Sequence, residues 1–207
     1  MLDAAMRKLI DPGLNAAGRH MAKTGISANA ITLIGLGFGL LCAAMIAGGL
    51  FGWALLPLAL SRLADGLDGA VARATQKSDF GGYLDIVSDF VFYGAVPMGF
   101  VWADPGGNGA AGAFLLTSFY ANGASFLGYA ILAEKHAMDT SARGVKSLYF
   151  TGGLLEGTET IVFFVVLCLF PALFPPLAWV FGGLCFITAA SRVLLAYKVF
   201  PARNKDN

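Results

Sequence analysis

Charge is scarce in this sequence. Lys, Arg, Asp and Glu together make up 13% of its 207 residues, roughly half their share in an ordinary soluble domain, which excludes the polar shell that keeps a globular protein in water. Cysteine is nearly absent too: Cys42, Cys168 and Cys185 stand far apart in apolar runs, which excludes a disulfide framework or a thiolate metal site and leaves them as small buried hydrophobes. Only two histidines occur, His20 and His136, and neither sits beside a nucleophile. No Walker motif, dinucleotide fingerprint or internal repeat is present. The net charge of +1 points to no nucleic-acid partner.

What the chain has instead is apolar length. Hydrophobic residues make up 57% of it, and they gather in runs near 30–49, 51–72, 83–103, 109–132, 153–170 and 174–197. About 20 apolar residues in a helix cross a hydrocarbon core of about 30 Å, so the pattern predicts an all-α integral membrane protein with six transmembrane helices in one domain, 1–207. Residues 1–27 form a leader. Within it Leu2, Met6, Leu9 and Ile10 recur at helical spacing, which predicts a short interfacial helix stopped by Pro12-Gly13. No signal peptide is expected, since the first long apolar run begins only after Asn29.

Charge between the runs sets the orientation. Arg7, Lys8, Arg19 and Lys23 precede the first run, Arg73 and Lys77 follow the second, Lys135, Arg143 and Lys146 follow the fourth, and Arg203 and Lys205 follow the sixth. The alternate connections hold no Lys or Arg. By the positive-inside rule both termini are cytoplasmic.

Against this background four aspartates stand out: Asp65, Asp68, Asp85 and Asp89. A charge near the middle of a bilayer costs roughly 2.5–3.5 kcal/mol, so four unpaired ones need a reason to be there. On helices, Asp65, Asp68, Gly69 and Ala72 share one face and Gly81, Asp85 and Asp89 another. Turned toward each other, the two faces present four hard oxygen ligands with small residues leaving room beside them. Such a set suits Mg²⁺, Mn²⁺ or Ca²⁺ rather than zinc. The competing structural reading, a salt-bridge cluster with Arg62, Arg73 and Lys77, has too few cations at matching depth. Arg62 and Arg192, both inside apolar runs, are candidate structural partners of an in-membrane carboxylate.

The series D-x-x-D-G-x-x-A-R followed by G-x-x-x-D-x-x-x-D resembles the signature of the CDP-alcohol phosphotransferases (CDP-alcohol phosphatidyltransferases), class I. Eight fixed positions fall in the 25-residue window from Asp65 to Asp89, and seven residues separate Arg73 from Gly81, one fewer than in the family pattern. The resemblance implies an enzyme of phospholipid synthesis that moves a phosphatidyl group from CDP-diacylglycerol to a small alcohol and releases CMP. It implies Asp65, Asp68, Asp85 and Asp89 as ligands of Mg²⁺ or Mn²⁺, two ions by expectation, with Asp89 as general base. It implies Gly69, Ala72 and Gly81 as the places where small side chains admit the nucleotide, and a homodimer among membrane lipids in the bacterial inner (plasma) membrane. Arg73 would meet a substrate phosphate or orient Asp68 or Asp85. Asn29, with Thr32, lies where the family opens its first membrane helix, so it is a donor-site candidate as well as a possible helix cap.

The acceptor is less legible. Lys77, Arg143 and Lys146 are the cations nearest the aspartates in the chain, and Glu156 begins the fifth run on the same side. Together they tilt the expectation toward a phosphorylated alcohol, with orientation charges and snorkelling as the bland readings. Two other classes remain open from the residues alone: a membrane prenyltransferase that binds a diphosphate, and a transporter with intramembrane carboxylates.

Overall fold

The computed structural model describes residues 3–136 and 157–200, and every regular element there is helical. In chain order these are α1 (Asp3–Ala22), α2 (Ala28–Ala47), α3 (Phe51–Ala74), α4 (Asp79–Ala103), α5 (Pro105–Lys135), α6 (Gly157–Leu169), a 3₁₀ turn (Pro171–Leu173) and α7 (Phe174–Val199). Helices α2 to α7 lie on the six predicted runs, of which residues 153–156 of the fifth fall outside the described residues. Three of these segments, Ala28–Ala47, Asp79–Ala103 and Pro171–Val199, are long and apolar enough to cross a membrane by length and composition alone. The fold is therefore that of an all-α membrane protein. Large apolar side chains on its outside, such as Leu33, Trp53, Leu56, Ile131 and Val193, are what a lipid-facing surface requires.

Local chemistry starts the helices where they start. The hydroxyl of Ser27 accepts from the backbone N–H of Ala30 at 3.2 Å and that of Ser78 from Gly81 at 3.0 Å, while Asp104 caps α5 through Gly107 ahead of Pro105 at the first helical position. Between α2 and α3 the chain reverses at Gly49, whose φ of 75° lies in the left-handed region that glycine adopts without cost.

Helix α2 packs chiefly against α3 and α4, and α5 against α7. Glycines make the first of these contacts close: a Cβ on Gly35 would lie 3.0 Å from Ala64 Cβ, and one on Gly39 would lie 2.7 Å from the Phe92 ring. Gly37, on the outer face, would meet nothing. The main core is aromatic, with Phe92, Phe100, Phe164 and Phe174 fully buried and Phe100 stacked on Phe174 at 4.9 Å. A second, smaller cluster of Ile31, Ala64 and Val71 lies on α2 and the later part of α3.

The leader departs from expectation. Helix α1 runs for 20 residues straight through Pro12 instead of stopping there. A proline inside a helix removes one hydrogen bond and costs about 3 kcal/mol, and packing on α3 offsets it. Leu14 fills the space beside Gly66, and Gly18 lies so close to α3 that a Cβ there would stand 2.6 Å from Ala70 Cβ. The leader is thus a component of the bundle, docked on the segment of α3 that carries the aspartates.

Candidate functional site

Three helices converge on the aspartates. From α2, Thr32 donates its hydroxyl hydrogen to Asp68 Oδ2 at 2.6 Å, a charge-assisted bond to a carboxylate only 6% exposed. From α3, Arg62 reaches across to α4, with Nη1 3.0 Å from Asp89 Oδ1 and 3.5 Å from Asp65 Oδ1. Its second terminal nitrogen donates to Ser61 Oγ at 3.2 Å, and the guanidinium lies over the Phe92 ring, 4.1 Å from its centroid. Thr32, Arg62, Asp65, Asp68, Ser88 and Asp89 line one small cavity. Asp85 is not part of that lining, yet it stands close enough to Asp68 and Asp89 to interact with their charges.

An open cleft lies one turn of α2 away, walled by Ser27 and Asn29 at the start of α2 and by Thr75, Gln76 and Ser78 between α3 and α4. Asn29 links it to the glycine of the second motif half: a Cβ on Gly81 would lie 3.1 Å from Asn29 Oδ1. Residues far apart in the chain are thus gathered into two adjoining spaces, one carboxylate-lined and one lined by amides, hydroxyls and backbone. Residues 25–197, which contain both, match the family described as CDP-alcohol phosphatidyltransferase.

The chain belongs to the CDP-alcohol phosphatidyltransferase family.

It is accordingly an enzyme of that class, and the prenyltransferase and transporter readings fall away. The chain is 47% identical over 197 residues to the inner membrane protein YnjF of Escherichia coli (strain K12), covering 95% of this chain and 96% of that protein. Its fold matches the crystal structure of Mycobacterium tuberculosis phosphatidylinositol phosphate synthase (PgsA1) with CDP-DAG bound. The TM-score is 0.73 at 18% identity, over 92% of this chain and 98% of the other.

Within the CDP-alcohol phosphatidyltransferase signature, Asp65, Asp68 and Asp89 line one cavity with Asp85 beside it, and Asn29 lies against Gly81. Gly69 lies beside Arg73, where a Cβ would stand 3.3 Å from Nη1, and Ala72 is half-buried. Arg73 goes elsewhere than to Asp68 or Asp85: its Nε and Nη2 donate to Asn15 Oδ1 on α1 at 3.1 and 2.9 Å, because α1 docks alongside and Thr32 already holds Asp68. Lys77 is exposed in the connection after α3. Arg143, Lys146 and Glu156 lie outside the described residues. Ser27, not Asn29, caps α2, which frees the Asn29 amide for the cleft.

Ser61, Ser88 and Asn15 were not legible as site residues, whereas Arg62 was a candidate partner of an in-membrane carboxylate and does pair with Asp65 and Asp89. Arg62 carries the one available signal, since it precedes Asp65 by three positions and so shares its helix face. Among the described residues no three His, Cys, Asp or Glu side chains are grouped closely enough to hold a metal ion as they stand. In chemical kind the donors fit a hard divalent cation. In arrangement Asp65 and Asp89 are drawn onto Arg62 rather than onto a common point.

Proposed function

We propose that this enzyme transfers the phosphatidyl group of CDP-diacylglycerol to the hydroxyl of a small phosphorylated alcohol, releasing CMP, and that it depends on Mg²⁺ or Mn²⁺ held by Asp65, Asp68, Asp85 and Asp89. The observation that carries the reading is the meeting of the two halves of the aspartate motif, from α3 and α4, beside the open cleft at Asn29. CDP-DAG bound to the M. tuberculosis relative supports the donor. The pyrophosphate would face the aspartates and the cytidine would extend into the cleft, where Gly81 leaves room beside Asn29.

In the reaction the acceptor's oxygen bonds to the phosphorus that carries diacylglycerol. The bond from that phosphorus to the bridging oxygen of the pyrophosphate breaks, and CMP leaves with the electron pair. Asp89 takes the hydroxyl proton as general base, a role worth about 10²–10⁴ in rate. Divalent cations, when bound, neutralise the pyrophosphate and the departing CMP. Thr32 keeps Asp68 oriented, and Arg73 with Asn15 anchors α1 beside the nucleotide cleft. Lys77, with Arg143 and Lys146, supplies the positive charge that favours a phosphorylated acceptor. We take the enzyme to be a homodimer with six membrane-spanning helices, and the name of its E. coli relative, an inner membrane protein, supports the bacterial inner membrane as its place.

The test is purified protein in lipid nanodiscs with labelled CDP-diacylglycerol and a panel of glycerol 3-phosphate, inositol phosphate, inositol, serine and choline. CMP should appear only with a phosphorylated alcohol, stop on chelation and resume with Mg²⁺ or Mn²⁺. Undiminished turnover in chelator would sink the metal assignment. Efficient use of serine, inositol or choline would sink the acceptor assignment.

A further inference from the structure

Arg62 lies outside the eight positions that carry the family signature, yet its guanidinium sits inside the carboxylate cluster. It is paired with Asp89 and Asp65 from two different helices and packed on Phe92. Among the described residues it is the only cation paired with an aspartate of the motif. Its own hydrogen bonding is incomplete. Nε is buried without a partner, and so is the hydroxyl of Ser88, which lines the same cavity. A buried N–H left unpaired is costly, so the carboxylates, rather than a full set of hydrogen bonds, hold this side chain where it is. The oxygens it engages are the hard donors that a divalent cation would need. Two cations cannot share them cheaply, because a +2 ion placed a few ångströms from a +1 group in a low-dielectric site is strongly repelled.

We propose that Arg62 is an internal counter-cation for this cluster, which holds Asp65 and Asp89 in the cation-free enzyme and yields them to a divalent cation when one binds. The inference rests on the divalent-cation reading above. Arg62 already donates to Ser61 and lines the same cavity as the unpaired Ser88 hydroxyl, so these two hydroxyls are the acceptors offered to the guanidinium when it gives up Asp89. Arg62 is then a positioning residue. It keeps four mutually repelling carboxylates in place before the cation arrives, and it sets how tightly the cation is held.

The sign of one measurement decides this. Mn²⁺ binding to the full chain in nanodiscs, followed by the electron paramagnetic resonance of free Mn²⁺, should be about tenfold or more tighter in Arg62→Gln than in wild type. Arg62→Lys, which keeps the charge, should stay near wild type. In chelator Arg62→Gln should unfold at a lower temperature than wild type, and saturating Mn²⁺ should narrow the difference. Unchanged or weaker Mn²⁺ binding in Arg62→Gln would overturn the counter-cation role while leaving the metal site intact, whereas no binding to wild type would overturn the metal reading itself. If Arg62→Gln does not fold, wild type still answers. With ¹⁵N-arginine labelling and Arg62→Lys to identify the resonance, the Arg62 guanidinium signal should shift on Mg²⁺ saturation, and an unmoved signal under proven Mg²⁺ binding refutes the exchange.

Discussion

Asp68 and Asp89 carry the same charge in one cavity, and their neighbours give them different work. The single hydroxyl hydrogen of Thr32 has two acceptors within reach, Ala28 O at 3.1 Å and Asp68 Oδ2 at 2.6 Å, and the shorter, charged partner takes it. Asp68 is thereby fixed as an acceptor-only group pointing into the cavity, which suits a ligand. Asp89 faces Arg62 and is more open, its side chain 31% exposed, which suits a group that must exchange a proton with an incoming alcohol. The two can be separated by mutation. Thr32→Val removes a bond worth about 1.5–3 kcal/mol and should weaken Mn²⁺ binding by about tenfold to a hundredfold, with Thr32→Ser restoring it. Asp89→Asn should lose about 10² or more in turnover while retaining binding of the CDP-lipid, measured by equilibrium dialysis. Asp89→Asn turnover near that of wild type would assign the proton transfer to another group.

At the scale of the element, the site depends on how closely α2 approaches α3 and α4. Gly35 and Gly39 set that approach, and Gly39 does so directly behind the aspartate cavity: its missing Cβ is replaced by the edge of Phe92, the ring on which Arg62 rests. Gly39→Ala should therefore destabilise the protein by about 1–3 kcal/mol through overpacking and lower activity with it. Gly37→Ala, two residues earlier and facing outward, should be neutral. Thermal unfolding of both variants in nanodiscs, with CMP release measured alongside, checks the contrast. Equal behaviour of the two would mean that the helices adjust their spacing freely. Glycine content by itself points to close packing, but which glycine lies at a contact depends on helix rotation, and periodicity in so uniformly apolar a helix leaves that rotation open.

For the whole molecule, the placement of charge predicts that the α1–α2 and α3–α4 connections share the cytoplasmic side with the aspartate cavity, and that the α4–α5 connection lies opposite. The native cysteines are buried, so a single introduced cysteine reports cleanly. A membrane-impermeant maleimide applied to intact cells should label Gly106→Cys and spare Gln76→Cys, and the pattern should reverse in inverted vesicles. Labelling of Gln76→Cys from outside would place the nucleotide cleft away from the cytoplasmic CDP-lipid pool.

The sequence by itself determined the class of fold and the family, because both rest on local quantities. Apolar run length sets the number of helices, and the spacing of Asp65, Asp68, Asp85 and Asp89 sets which side chains share a face. Family membership follows from the same short window. It did not determine that α1 continues through Pro12, because the packing of Leu14 and Gly18 on α3 that offsets the proline is a contact between separate elements. Nor did it determine the partners of the charges. Arg73 turns to Asn15, Thr32 to Asp68 and Arg62 to Asp89, pairs separated by 58, 36 and 27 positions. Which of several nearby polar groups a charge selects is decided by the distances and rotations at which four helices cross, and those exist only once the helices have packed.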